Sequence, residues 1–132
     1  LELLADEKLP ELRAACLAKM NLPLESINTA AKGIDSEPAQ ALRKQLAYPL
    51  IHWSIVRAEA AAKHVDPLLA QGLIREESRY NVWALSSSKA IGLMQLLPST
   101  AMGVAKRLGV KLNGHDDIHK PENNIKFGVD YL

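Results

Sequence analysis

Apolar positions recur at three- and four-residue intervals along most of the chain, and strand-like alternation never lasts beyond a few residues. The pattern predicts an all-α fold. Over the first 47 residues it gives three short helices, roughly 9–20, 23–33 and 36–47. Pro10 and Pro23 stand near helix starts, where a missing N–H does no harm, and Gly33 suits a helix end. This reads as a stack of helical hairpins without a clear internal repeat. From "YPLIHWSIVRAEAAAKH" onward the character changes. Leu50, Trp53, Ile55, Val56 and Ala60 mark a longer helix that ends at His64 and Val65. Asp66-Pro67 follows as a start signal, an N-cap acid before a proline at the first helical position. Leu69, Leu73 and Ile74 then form the stripe of the next helix. The chain is thus expected to comprise a helical segment, 1–47, and a second unit, 48–132, with a boundary near Ala47 to Pro49.

At 132 residues and 48% hydrophobic, the chain can fill one core, or one small domain and part of another. A net charge of +1, from 16 basic and 15 acidic side chains, leaves no electrostatic footprint for nucleic acid or an anionic membrane surface. No apolar run approaches the roughly 18 residues that span a bilayer. The sequence opens at Leu1 inside a helical pattern, with no visible signal peptide, and so reads as an excerpt of something longer. A single cysteine, Cys16, excludes an internal disulfide and an all-cysteine metal site. Among the alanines and leucines of "ELRAACLAKM" it reads as a buried structural thiol.

The candidate chemistry lies in "LIREESRYNVWALSSSKAIGLMQLLPSTA". Glu76 and Glu77 point about 100° apart on a helix, so they cannot share a direction. Glu77 continues the ladder from Leu69 through Leu73, while Glu76 also borders the stripe. One acid is expected against a packed wall and the other in solvent or beside Arg79. Spacing alone leaves the choice open, and both can be solvated ends of an amphipathic helix. "NVWALSSSKAIG" reads as a loop. In "GLMQLLP" a glutamine inside an apolar run is either buried with partners or lining a cleft. Pro98 then begins a helix with Ser99 and Thr100 in its first turn.

These residues carry a resemblance. "IREESRYN…A.S…A.GLMQLLPSTA" resembles the catalytic core of the soluble lytic transglycosylases that cut bacterial peptidoglycan. The match extends back over "YPLIHW" and "DPLLAQGLI" and forward over "KPENNIKFGVDYL", about residues 48 to 132. The resemblance implies a helical, lysozyme-like catalytic domain of the goose type, incomplete at its C-terminal end, preceded by helices of a helical superstructure. It implies cleavage of the β-1,4 bond between N-acetylmuramic acid and N-acetylglucosamine, leaving a 1,6-anhydro ring, with peptidoglycan glycan strands as partner. It implies Glu77, the glutamate before serine, as the single catalytic acid. Ser86, Met94 and Gln95 map to substrate-binding positions. No metal or cofactor is required, and the location implied is periplasmic or cell-wall associated in a bacterium.

One acid can suffice for physical reasons. Hydrolytic glycosidases usually need two carboxylates, one as acid and one as nucleophile or base. If the substrate's own acetamido group stabilises the oxocarbenium-like centre and its own C6 hydroxyl attacks, the second becomes unnecessary. The remaining acid must hold its proton until the glycosidic oxygen takes it, and apolar surroundings favour that form.

The chain departs from the family pattern at Ser87, usually proline, and Lys89, usually glycine. Lysine tolerates badly the backbone angles that glycine permits, so the loop is expected to take another course, or Lys89 to touch acidic substrate groups. Trp83 replaces a small polar residue and offers packing surface or a face for a sugar. The tyrosine- and asparagine-bearing "AYNAG"-type segment of the family does not occur here. "HDDIH", with His115, Asp116, Asp117 and His119, has some metal-ligand character but reads as a solvated loop. Two other functions compete: a hydrolysing muramidase using Asp116, Asp117 or Asp130 as second carboxylate, and a non-catalytic glycan-binding or helical scaffold module.

Overall fold

The computed structural model describes residues 23–30 and 46–132. The chain divides into two units, Leu1–Pro49 and Leu50–Leu132. In the first, α1 spans Pro23–Ala30 and buries Ile27. Leu46 and Ala47 are helical, with Ala47 buried and Leu46 packed on it. The expected helix 9–20, most of 36–47, residues 31–33, Pro10 and Cys16 lie outside the described residues.

The second unit holds five helices among its described residues: α2 (Trp53–Lys63), α3 (Pro67–Ser78), α4 (Pro98–Arg107), α5 (Asp116–His119) and α6 (Pro121–Tyr131). Among the described residues, β structure is confined to isolated bridges, Leu85 with Ile91 and Ile91 with Leu96. Proline opens α1, α3, α4 and α6, where its fixed φ suits the first turn and its missing N–H costs nothing. A very short connection makes α2 and α3 a helical hairpin. His64 closes α2 in the left-handed region, its N–H reaching the Ala60 and Ala61 carbonyls. Two residues later the Asp66 carboxylate accepts the Leu68 N–H at 2.8 Å and caps α3.

Helix α6 is the central element, packed against α2, α4 and α5. Phe127, Ile125 and Val129 on α6 are fully or almost fully buried. Phe127 joins Ile91, Leu96, Ala101, Val104, Ala105 and Ile118 in a core that Leu108, Val110 and Leu112 flank. At the far end of α6, Asp130 receives Lys63 of α2 and Arg107 of α4, so one carboxylate ties three helices. The hydrogen bond from Lys63, then that from Arg107, hold the Asp130 carboxyl below the usual carboxylate range. A depressed folded-state value adds stability that is present above the unfolded value near 3.9 and is lost as pH falls through the folded one. Asp130→Asn is therefore expected to lower stability by about 1–2 kcal/mol at pH 7, both cations being partly solvated. Melting curves of parent and variant should converge as the pH drops from 5 towards 2.

Helix α3 corrects the orientation expected from its leucines. Its buried face is Ala70, Gln71, Ile74 and Ser78, not the 69–73–77 ladder. Small residues at 70 and 78 suit close packing against α2, and Gln71 donates from Nε2 to the Ile51 carbonyl at 3.0 Å. Leu69 consequently stays exposed, Leu73 is half-buried, and Glu77 is exposed with no packed leucine wall over it.

Candidate active site

Residues 79–97 carry the chain from α3 to α4 through a series of turns. Arg79 and Tyr80 both take positive φ and end α3. The Ser78 hydroxyl donates to the Ile74 carbonyl at 3.0 Å within the last turn, one residue beyond Glu77. Asn81 caps the next turn, its Oδ1 accepting the Trp83 N–H at 3.0 Å while its carbonyl accepts the Ala84 N–H.

The serine run forms a closed loop. The Ser86 carbonyl accepts the Lys89 N–H at 2.9 Å, and Ser86 and Ala90 pair in both directions, Ser86 Oγ accepting the Ala90 N–H at 2.9 Å. Lys89 sits at φ 64°, the left-handed region. The loop thus adopts a glycine-type backbone in spite of the lysine, against the expectation of a different course. Left-handed conformation costs a non-glycine residue about 1 kcal/mol or more. Lys89→Gly should stabilise the protein by about 0.5 kcal/mol, after the larger unfolded-state entropy of glycine is subtracted. Urea denaturation of the two proteins checks this.

"GLMQ" is locked by one buried side chain. Asn124 of α6 is fully buried, and its Oδ1 accepts the Met94 N–H at 2.7 Å. Its Nδ2 donates to the Ile91 carbonyl at 3.0 Å and the Ile118 carbonyl at 2.9 Å. Gly92 must be glycine there. Its φ is +76°, and a Cβ would stand 2.5 Å from Asn124 Nδ2. Gly128 plays the same part for Met94, since a Cβ would meet the Met94 sulfur at 2.3 Å.

These constraints shape an open cleft of about 320 Å³. Helix α3 contributes Leu73 and Glu77, the loop Met94, Gln95, Leu96 and Leu97, α4 Thr100, and the end of α6 Gly128, Tyr131 and Leu132. Among the described residues, Glu77 is the one carboxylate side chain on its lining. Gln95, at φ 46°, is both bonded and cleft-lining: Nε2 donates to the Gly92 carbonyl at 2.9 Å and the Ala84 carbonyl at 3.3 Å. Its Oε1 makes no hydrogen bond among the described residues and is left as an acceptor.

The structure thus brings Glu77, Met94 and Gln95 together. Ser86 does not line this cleft; its oxygen is engaged in closing the loop. Glu76 is solvent-exposed and pairs with its neighbour Arg75 rather than Arg79. Within "HDDIH", Asp116–His119 form the single-turn helix α5 and not a loop, with His115 as the residue before it. Asp117 accepts the Asn113 N–H at 2.8 Å and pairs with Lys120 at 2.6 Å, which together draw its carboxyl below the usual range, Lys120 foremost. His119 Nδ1 lies 2.8 Å from the Val82 carbonyl, and its ring packs on Trp83. Asp116, Asp117 and Asp130 all lie off the cleft lining. Sequence reasoning missed Asn124, Gly92 and Gly128. Only a buried amide within the α6 stripe would have pointed to the first.

Comparison with known proteins finds relatives among the lytic murein transglycosylases. A putative soluble lytic murein transglycosylase of Haemophilus influenzae is 42% identical over 69 residues, covering 52% of this chain and 12% of that protein. Membrane-bound lytic murein transglycosylase E of Buchnera aphidicola is 34% identical over 93 residues, covering 68% and 42%. This chain spans less than half the length of either relative. Among solved structures, the lytic transglycosylase Slt of Pseudomonas aeruginosa, in an inactive mutant form, superposes with a TM-score of 0.76 at 24% identity. The 70-kDa soluble lytic transglycosylase of Escherichia coli does so with 0.75 at 23%. Each alignment covers 89% of this chain and 18% of the larger protein, and establishes the lysozyme-like helical fold. The family model of the transglycosylase SLT domain matches residues 54–132, which span the hairpin, the locked loop and the cleft, and the chain belongs to that family.

Proposed function

We propose that this chain is a lytic transglycosylase acting on the glycan strands of peptidoglycan in the bacterial cell envelope, with 48–132 as its catalytic unit. The observation that carries the reading is Glu77 as the one carboxylate side chain that lines the cleft among the described residues, beside Met94 and Gln95. One acid in reach favours a reaction in which the substrate supplies its own nucleophile. Glu77 gives its proton to the glycosidic oxygen between N-acetylmuramic acid and N-acetylglucosamine as the C1–O bond breaks. The 2-acetamido group stabilises the electron-poor C1. The Glu77 carboxylate then takes the C6 hydroxyl proton as that oxygen bonds to C1, which closes the 1,6-anhydro ring and restores the acid.

Because Glu77 is exposed, a saccharide can lie directly over its carboxyl, with Leu73, Met94 and Leu97 behind, and displace water from the reacting bond. Gln95 Oε1 suits a sugar hydroxyl or amide N–H, and Met94, seated on Gly128, forms the floor. Ser86 acts by shaping the loop. The P. aeruginosa protein of this fold is inactive with a glutamate replaced by glutamine, which accords with one essential acid.

The same exposure favours, as a second reading, a module that binds glycan without cutting it. Incubation with purified peptidoglycan separates the two. Release of soluble fragments supports the enzyme, whereas retention on the wall without release supports the binding module. A hydrolysing muramidase needs a second carboxylate in the cleft, and its three candidates stand elsewhere.

A further inference from the structure

Trp83 is 66% exposed, which is unusual for the largest apolar side chain unless its face has a use. Its placement is fixed from three sides. The Asn81 carboxamide holds its backbone N–H at 3.0 Å, the next residue's carbonyl receives Gly92 N–H at 2.9 Å and Gln95 Nε2 at 3.3 Å, and its ring meets His119 at a centroid separation of 4.8 Å and 37°. His119 is itself anchored: Nδ1–H donates to the Val82 carbonyl at 2.8 Å, which leaves Nε2 without a partner among the described residues.

From this geometry we infer that Trp83 and His119 form an additional sugar-binding subsite at the rim of the Glu77 cleft, taking one N-acetylated pyranose of the glycan strand. The inference rests on the proposed function. A pyranose presents axial C–H groups on one face and hydroxyls around its edge. The indole offers a flat, negative-faced surface to the former, and His119 Nε2 offers a hydrogen-bonding nitrogen to the latter. Continuity with the cleft favours a unit of the same strand over any other occupant, because Gln95, which lines the cleft, is bonded to Ala84, the residue after Trp83. Leu85, on the same loop, is exposed as well.

Binding of β-1,4-linked N-acetylglucosamine oligomers of two to six units tests this, measured by calorimetry in the Glu77→Gln background so that no chain is cut. Affinity should rise at the length that first reaches the rim. Trp83→Ala should remove that rise, weakening the long oligomers about three- to tenfold and the short ones not at all. Trp83→Tyr, which keeps an aromatic face, should retain the affinity within twofold. Equal binding of long oligomers by parent and Trp83→Ala would overturn the subsite. An equal loss at every length would also overturn it, since that marks a general loop defect. Turnover surviving in Glu77→Gln would instead sink the catalytic reading, whatever Trp83 does.

Discussion

Glu77→Gln should abolish release of soluble muropeptides from peptidoglycan, by at least the 10²- to 10⁴-fold that general acid–base catalysis supplies, while thermal stability and glycan affinity stay close to parent. The amide matches the carboxyl in shape but has no proton to give to the glycosidic oxygen and cannot receive one from the C6 hydroxyl. Because Glu77 is solvent-exposed, the exchange disturbs no buried partner, so a folding defect is not expected. Glu76→Gln is the matched control. That side chain pairs with Arg75 in solvent, off the cleft lining, and its loss should leave turnover within twofold. Release kinetics on sacculi, with melting curves of each variant, separate loss of chemistry from loss of fold.

Asn124→Leu should cost about 2–4 kcal/mol, the largest stability effect expected of a single polar substitution in the second unit. Leucine fits the volume but withdraws all three hydrogen bonds of a fully buried amide. Met94 N–H and the Ile118 carbonyl are left buried with no replacement, while the Ile91 carbonyl keeps the Leu96 N–H. Each net bond is worth about 1 kcal/mol, and an orphaned buried group costs about 1–3. In a unit of this size that lowers the melting temperature by roughly 10 °C or more. The effect should reach function, since Asn124 holds the backbone from which Met94 and Gln95 enter the cleft. Unfolding free energies from denaturant titration within about 0.5 kcal/mol of parent would show that water or backbone movement replaces the amide.

Much of the second unit is legible in the sequence because its punctuation is local. Asp66-Pro67 and Pro98 mark helix starts by chemistry that needs no partner, and His64 ends α2 where the apolar pattern stops. The facing of α3 is not legible in that way. Two ladders, 69–73–77 and 70–74–78, run along one helix, and the leucines of the first look more core-like than Ala70 and Ser78. Close approach to α2 decides for the small residues, and that is a tertiary fact. It is also why Glu77 emerges at an open cleft and not behind leucines. The motif singled out Glu77, Met94 and Gln95, which line one cleft, but told nothing of what holds them. Asn124 lies 30 residues from Met94, and the needs of Gly92 and Gly128 arise from side chains that only folding brings near. Ser86 shows the reverse limit: a position matched by motif can serve its site through the shape of a loop.

The central claim is that one carboxyl and the substrate's own C6 hydroxyl complete the reaction. Mass spectrometry of the fragments released from purified peptidoglycan by this chain, with Glu77→Gln alongside, tests it most directly. The account predicts muropeptides ending in 1,6-anhydro-N-acetylmuramic acid, lighter by one water than hydrolysed ends, from the parent alone. Reducing ends would contradict it, because water would then be the nucleophile and a second group would have to activate it.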